Sequence, residues 1–318
     1  MNLHIISTIN GLENEGMRNV ATHLSREFEK EHTVTYSGLK DIFSIIKNGR
    51  KSDVTLVFAR LIKSVYYMLK LVRPFVKKIC VVCVQPVTED FAQLNRKSKV
   101  VDYCLTICKE DVENAFDSSI IHTFDVGINC EKFKASKESR KELCSKLSLP
   151  YDKTIVLHVG HCSKGRYLEE MLTLDKSKYH CVVIASGMFN DEETIKALKD
   201  GGVDLRFGFV KNIEDFYNCA DVYFFPTKSS EFVISIPLSV MEALCCGTPV
   251  VAYKSFEKLS LIKSNDDKAY TLIDCVENLP IAIDTASKNK SSSTYLKNPK
   301  GWNEISTEII KVLENNLE

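Results

Sequence analysis

No apolar run in this chain approaches the roughly 20 residues that a membrane-spanning helix needs. The longest, 232–253, is interrupted by Glu242, so no spanning segment is expected. Neither sign of charge is in excess, with 42 Lys and Arg against 42 Asp and Glu, and a nucleic-acid partner is not expected. Low-complexity stretches and disordered tails are lacking, so the whole chain should fold. The absence of any repeat of fixed period excludes solenoids and propellers. The opening Met1–Thr8 is apolar, but Asn10, Glu13 and Glu15 follow where a signal peptide would carry its cleavage site. These residues are expected to form a buried first strand of a cytoplasmic protein.

What is present fits a two-lobed enzyme. A length of 318 residues with 44% hydrophobic and 26% charged residues is comfortable for two domains, each with its own core. The twelve cysteines are expected to be reduced and buried. A metal site is not expected: Cys80 and Cys83 lie on one predicted strand, and residues three apart on a strand face opposite sides. Charge is unevenly spread. Residues 44–100 hold twelve basic residues against Asp53, Glu89 and Asp90, a net +9. Either this is a solvated lysine face or it meets an anionic partner such as membrane lipid. In the second case the apolar side of 60–78, with Leu61, Ile62, Val65, Tyr66, Met68, Leu69, Val72 and Phe75, would dip into headgroups at the inner face of the membrane while Lys63, Lys70, Arg73, Lys77 and Lys78 meet phosphate.

Short β-branched runs alternate with helical spacing throughout, as in doubly wound parallel sheets. Strands are expected at 3–8, 34–36, 54–58, 79–84, 103–107 and 120–124, then at 154–159, 181–185, 203–207, 222–225 and 249–252. In the second series, helices are expected at 166–172, 191–199, 213–219 and 237–244. The fold class is α/β with two Rossmann-like open parallel-sheet domains, residues 1–132 and 133–300, facing across a cleft. A terminal helix over 301–318 is expected to cross back to the first domain.

In open sheets ligands sit beyond the carboxyl ends of strands, so the turns there are the place to look for chemistry. Gly160-His161-Cys162-Ser163-Lys164-Gly165 follows a strand and opens a helix. Its bare backbone, helix-terminus amides and ammonium suit a phosphate, although two glycines also suit a tight turn with an exposed lysine. Ser186-Gly187-Met188, Gly208-Phe209-Val210 and Pro226–Glu231 end neighbouring strands. Glu242 stands on an apolar helix after Pro237. A carboxylate there needs a partner, either a buried cation or the vicinal hydroxyls of a ribose.

Gly160–Gly165, Val203–Pro226 (VDLRFGFVKNIEDFYNCADVYFFP) and Pro237–Ala252 (PLSVMEALCCGTPVVA) resemble the retaining GT-B glycosyltransferases of family 4, as does Asp125–Phe133 (DVGINCEKF), where those enzymes join their lobes. The resemblance implies a GT-B fold. It also implies that Lys164, with Gly160, His161, Gly165 and Gly187, meets the donor diphosphate. Gly208, Phe209 and Val210 would meet the nucleobase, and Glu242 the ribose, with Ile236 and Leu238 alongside. Gly16, Met17, Arg18 and Gln85 resemble the acceptor side.

This chain departs from the family at several of these positions. Ile234 stands where the family has a glutamate contacting the transferred sugar, and Glu231 gives E-x10-E in place of E-x7-E. Ile236-Pro237 replaces Phe-Gly, His161 an arginine, and Gln85 a frequent histidine. The expected activity is transfer of a sugar from a UDP- or GDP-sugar to a hydroxyl of a glycan or lipid-linked acceptor. It would proceed with retention and without metal or other cofactor, Lys164 and Glu231 being the catalytic candidates. A degenerate nucleotide-binding partner subunit and a GT-B nucleotide-sugar epimerase are the alternatives.

Overall fold

The computed structural model describes residues 1–7, 16–187, 190–230 and 233–317. The chain divides into two compact units. The first comprises Met1–Gly127, Val233–Ile236 and Lys300–Glu318. Its strands β1 (Asn2–Ile6), β2 (Thr33–Ser37), β3 (Val54–Val57), β4 (Ile79–Cys83), β5 (Tyr103–Thr106) and β6 (Ile121–Thr123) lie in the order β2-β1-β3-β4-β5-β6. All pair in parallel. β4 reads Ile-Cys-Val-Val-Cys with every residue buried, the continuous apolar run of a strand covered on both faces.

Helices α1 (Gly16–Phe28), α2 (Ile42–Gly49), α3 (Lys63–Val72) and α4 (Glu89–Lys97) connect these strands. Asp41 caps α2, its Oδ1 accepting from the Ser44 amide at 3.0 Å. α2, α3 and α4 form one layer, burying Ile45, Leu69 and Phe91 with Ile6, Val57 and Val81 of the sheet. This packing corrects one expectation. Leu61, Val65, Tyr66, Leu69 and Val72 are core, so the apolar side expected to enter lipid headgroups faces the sheet instead. Cys83 lies in this cluster, its thiol 3.8 Å from that of Cys104, whereas Cys80 is buried outside it. The two cysteines therefore do turn to opposite faces.

The terminal helix (Trp302–Asn315) belongs to this unit and packs on α1. The Trp302 indole stacks on His23 at 5.0 Å between ring centroids, and a Cβ on Gly127 would lie 2.6 Å from that indole. Only glycine permits this approach.

The second unit comprises Ile128–Phe232 and Pro237–Pro299. Strands β7 (Thr154–Gly160), β8 (Tyr179–Ala185), β9 (Asp204–Phe207), β10 (Val222–Phe225), β11 (Val250–Tyr253) and β12 (Tyr270–Ile273) form a parallel sheet in the order β12-β11-β10-β7-β8-β9. Its helices are α5 (Arg140–Leu147), α6 (Glu192–Asp200), α7 (Ile213–Cys219), α8 (Leu238–Cys245) and α9 (Leu279–Ser287). Ser139 and Glu142 form a reciprocal cap at α5.

Three details differ from the sequence reading. The helix expected over 166–172 is two short 3-10 stretches, Lys164–Arg166 and Leu168–Thr173. Tyr167 between them is left-handed, at φ 54°, which breaks the i→i−4 ladder. Strand β12 was not anticipated. It lies at the sheet edge with only Ile273 fully buried, so it lacks the apolar run that marks the inner strands. The boundary between units falls at Gly127 and Ile128, not after 132, and Val233–Ile236 groups with the first unit. The reason is apolar burial plus two hydrogen bonds: the Ser235 amide donates to Val84 O at 2.9 Å and its hydroxyl to Asp111.

Candidate functional site

Parallel register brings the ends of β7, β8 and β9 side by side, with Gly160 opposite Ala185 and Ala185 opposite Phe207. The turns that follow are stitched together. The Ser186 amide donates to Gly160 O at 2.9 Å, and His161 Nδ1 is hydrogen-bonded to Ser186 Oγ. The Cys162 amide donates to Asn190 Oδ1 at 3.2 Å, while Asn190 Nδ2 donates to Ser186 O at 2.8 Å. Gly187 is exposed at the tip of β8. Gly208, after β9, has φ 90°, a conformation that favours glycine. Phe209 beside it is exposed and Val210 half-buried, which leaves an aromatic face free for a planar ring.

Lys164 is paired with acids at the start of α6. Its side chain is 66% exposed and pairs with Glu193 at 2.5 Å and Asp191 at 4.0 Å. The cation built into the turn is Arg166. It is buried, its Nη1 donates to Thr227 Oγ1 at 3.2 Å, and burial holds its pKa below the usual arginine range. Gly165 is half-buried between the two. Under Gly160 lies His158, fully buried, whose Nδ1 donates to Phe224 O at 3.0 Å. Burial pushes its pKa down to about 3, so the ring is neutral with the proton on Nδ1 and a bare Nε2. A Cβ on Gly160 would stand 3.0 Å from that Nε2.

Beyond β10, Lys228 is enclosed by the rings of Tyr167 and Tyr253, at 4.4 and 4.3 Å from their centroids. It pairs with Glu170 at 2.6 Å, and Glu170 also accepts from Tyr253 Oη at 2.5 Å. Sequence reasoning passed over His158, Arg166 and Lys228. A lone histidine inside the apolar strand Thr154–Gly160 was the one visible signal.

Glu242 sits on α8, where Oε2 accepts from Tyr217 Oη of α7 at 2.7 Å. Desolvation pushes its pKa up to about 7, against the opposing pull of the Tyr217 hydrogen bond and of Lys132. This is the unusual carboxylate the sequence singled out, and its partner is a hydroxyl, not a buried cation. Leu238 opens α8 half-buried. Glu231 lies outside the described residues, as does Met188. In the first unit, Gly16, Met17 and Arg18 form the first turn of α1 and Gln85 follows β4. Ile234 lies on Gly16, where a Cβ would be 2.9 Å from its Cδ1. Ile236 is buried in that same unit. No group of three or more His, Cys, Asp or Glu among the described residues is placed to hold a metal ion.

These turns and the helix bearing Glu242 lie within a stretch with known relatives. Residues 155–286 match the family of glycosyl transferases group 1. That match runs along the second sheet from within β7 to beyond β12. TuaC of Bacillus subtilis, whose name assigns it to teichuronic acid biosynthesis as a glycosyltransferase, is 27% identical over 143 residues. That match covers 43% of this chain and 33% of TuaC, so it spans about a third of the relative's length.

Among solved structures, Anabaena HepE with UDP and glucose matches at TM-score 0.77 and 11% identity, over 99% of this chain and 100% of that one. Sucrose-phosphate synthase of Thermosynechococcus elongatus matches at TM-score 0.71 and 11% identity, over 99% and 98%. Two parallel six-stranded sheets with helices are the GT-B architecture of these structures.

Proposed function

We propose that the protein transfers a sugar from a nucleotide sugar to a hydroxyl of a glycan or lipid-linked acceptor. The observation that carries this reading is Glu242: a half-buried carboxylate on α8, inside the stretch that matches glycosyl transferases group 1, whose Oε2 accepts from a tyrosine hydroxyl. A ribose diol would supply further donors. The turns carrying Gly160, His161 and Gly187 bring bare glycine surface to the end of the sheet, where a diphosphate would lie, and exposed Phe209 offers a face to a base. HepE in its complexes with UDP and with UDP-glucose favours UDP over GDP as the first nucleotide to try. Retention, with the leaving phosphate assisting the acceptor and no metal required, follows from the family resemblance. Reaction at the inner face of a membrane would suit a lipid-linked acceptor.

The exposed Lys164–Glu193 pair and the apolar Ile234 on Gly16 favour a second reading, a nucleotide-binding subunit without turnover. A thermal-shift panel of UDP, GDP and their sugars, followed by a hydrolysis assay, separates the two. A nucleotide at 100 times its Kd stabilises the native state by about 2.7 kcal/mol. Stabilisation with donor turnover supports the transferase, stabilisation alone supports the idle subunit, and no shift with any nucleotide removes both.

A further inference from the structure

We infer that the outer face of α2 and α3 in the first unit is a docking surface for an anionic lipid bilayer. The two helices pack side by side on the sheet, and what they turn outward is unusual. Phe43 is 89% exposed, Leu71 57% and Tyr67 51%. Exposed lysines stand among them: Lys47 on α2, and Lys63 and Lys70 on α3. Arg50 extends the basic rim, its guanidinium 4.9 Å above the Phe75 ring. Neither helix carries an acidic residue within its span, and Asp41, which caps α2, has its carboxylate on the Ser44 amide at 3.0 Å. The nearest acid in the following loop, Asp53, is already paired with Lys77 at 3.0 Å.

The physical signature is that of a surface lying on a bilayer. Apolar side chains project from a basic face, so insertion of the former and attraction of the latter act at the same place. The charges spread over two helices and do not converge on a pocket, which suits a sheet of headgroups better than one small anion. A protein partner is the weaker fit, because lysine is depleted from protein–protein interfaces. The surface differs from the side of 60–78 that the sequence suggested, since that side is core. The inference rests on the first unit alone and stands or falls separately from sugar transfer.

Co-sedimentation of the full chain with vesicles tests it. The protein should pellet with phosphatidylglycerol–phosphatidylcholine vesicles and stay in solution with pure phosphatidylcholine. Binding should weaken as salt rises, the Debye length being about 10 Å at 0.1 M. Lys47→Gln, Lys63→Gln and Lys70→Gln together should lower partition about 100-fold, at roughly fivefold per lysine. Phe43→Ser with Leu71→Ser should also lower it at unchanged melting temperature. Ile281→Ser, which removes a 71% exposed side chain from the second unit, should not. Failure to pellet with anionic vesicles at low salt overturns the inference, and so does equal binding by the Phe43→Ser, Leu71→Ser protein. A dimer abolished by Phe43→Ser, without vesicle binding, would assign the face to a second copy of the chain instead.

Discussion

The Tyr217 hydroxyl donates to Glu242 Oε2 at 2.7 Å, joining α7 to α8 through the carboxyl whose pKa is pushed up to about 7. If a nucleotide ribose meets this carboxyl, as proposed, its binding should be sensitive to pH near neutrality. If the ionised form accepts from the ribose hydroxyls, UDP affinity should rise with pH and level off above 7. At pH 6 it should be roughly tenfold below the plateau, one pH unit under such a pKa. Calorimetric titration from pH 6 to 8 reads this. Glu242→Gln should flatten the profile and weaken UDP itself, and a pH slope that survives that substitution would assign it to another group.

The same carboxyl links stability to pH with a definite sign. Its folded pKa lies above the ordinary 4.5, so between about 4.5 and 7 the folded state keeps a proton the unfolded chain has lost. Its contribution to stability therefore falls as pH rises through that window. Glu242→Gln should gain melting temperature relative to the parent between pH 5 and pH 8. A constant difference across that range would show that the proton is not held.

Lys164 pairs with Glu193 at the surface, an interaction worth about 0–1 kcal/mol. Lys164→Ala should therefore leave the melting temperature nearly unchanged. If the side chain swings to the diphosphate during turnover, kcat should drop by roughly 100-fold, the scale of losing one electrostatic stabiliser. A loss of only a few-fold would move the role to Arg166.

Lys290 donates to Tyr217 O and Ala220 O, both at 2.9 Å, and to Thr248 Oγ1. Tyr217 O also accepts from Thr248, whereas among the described residues Ala220 O has no second side-chain donor. Lys290→Met should cost about 1–3 kcal/mol, the penalty of a buried group left unsatisfied, and should loosen the end of α7. Denaturant unfolding measures it, and a neutral result would mean that water replaces the ammonium.

Gly16 is constrained by Ile234, since an added Cβ would meet its Cδ1 at 2.9 Å. Gly16→Ala should destabilise the first unit, and Ile234→Ala in the same chain should recover part of the loss. A double-mutant cycle detects this coupling. Strict additivity would place the strain elsewhere.

Much of the architecture was legible in the sequence because buried parallel strands advertise themselves. The inner strands stand out as apolar runs; the edge strands β2, β6, β9 and β12 are partly solvated, and of these β12 alone was missed. Turn glycines and the solitary Glu242 were equally visible, since each is a residue type that is costly in its setting without a reason. The direction of side chains was not visible. Lys164 and Arg166 are two residues apart, yet the left-handed Tyr167 and the neighbouring Thr227 and Glu193 send one inward and the other outward.

Sequence alone determined the parallel α/β class, the glycine-bearing turns that follow β7, β8 and β9, and the basic bias of residues 44–100, because composition and period depend only on neighbours along the chain. Tertiary structure decided which of two nearby cations is buried, which side of α3 faces solvent, and that Val233–Ile236 packs with the first unit. Those outcomes depend on what lies across the fold, at sequence separations of 124 residues for Ser235 and Asp111 and 61 for Arg166 and Thr227, and no local pattern encodes contacts of that range.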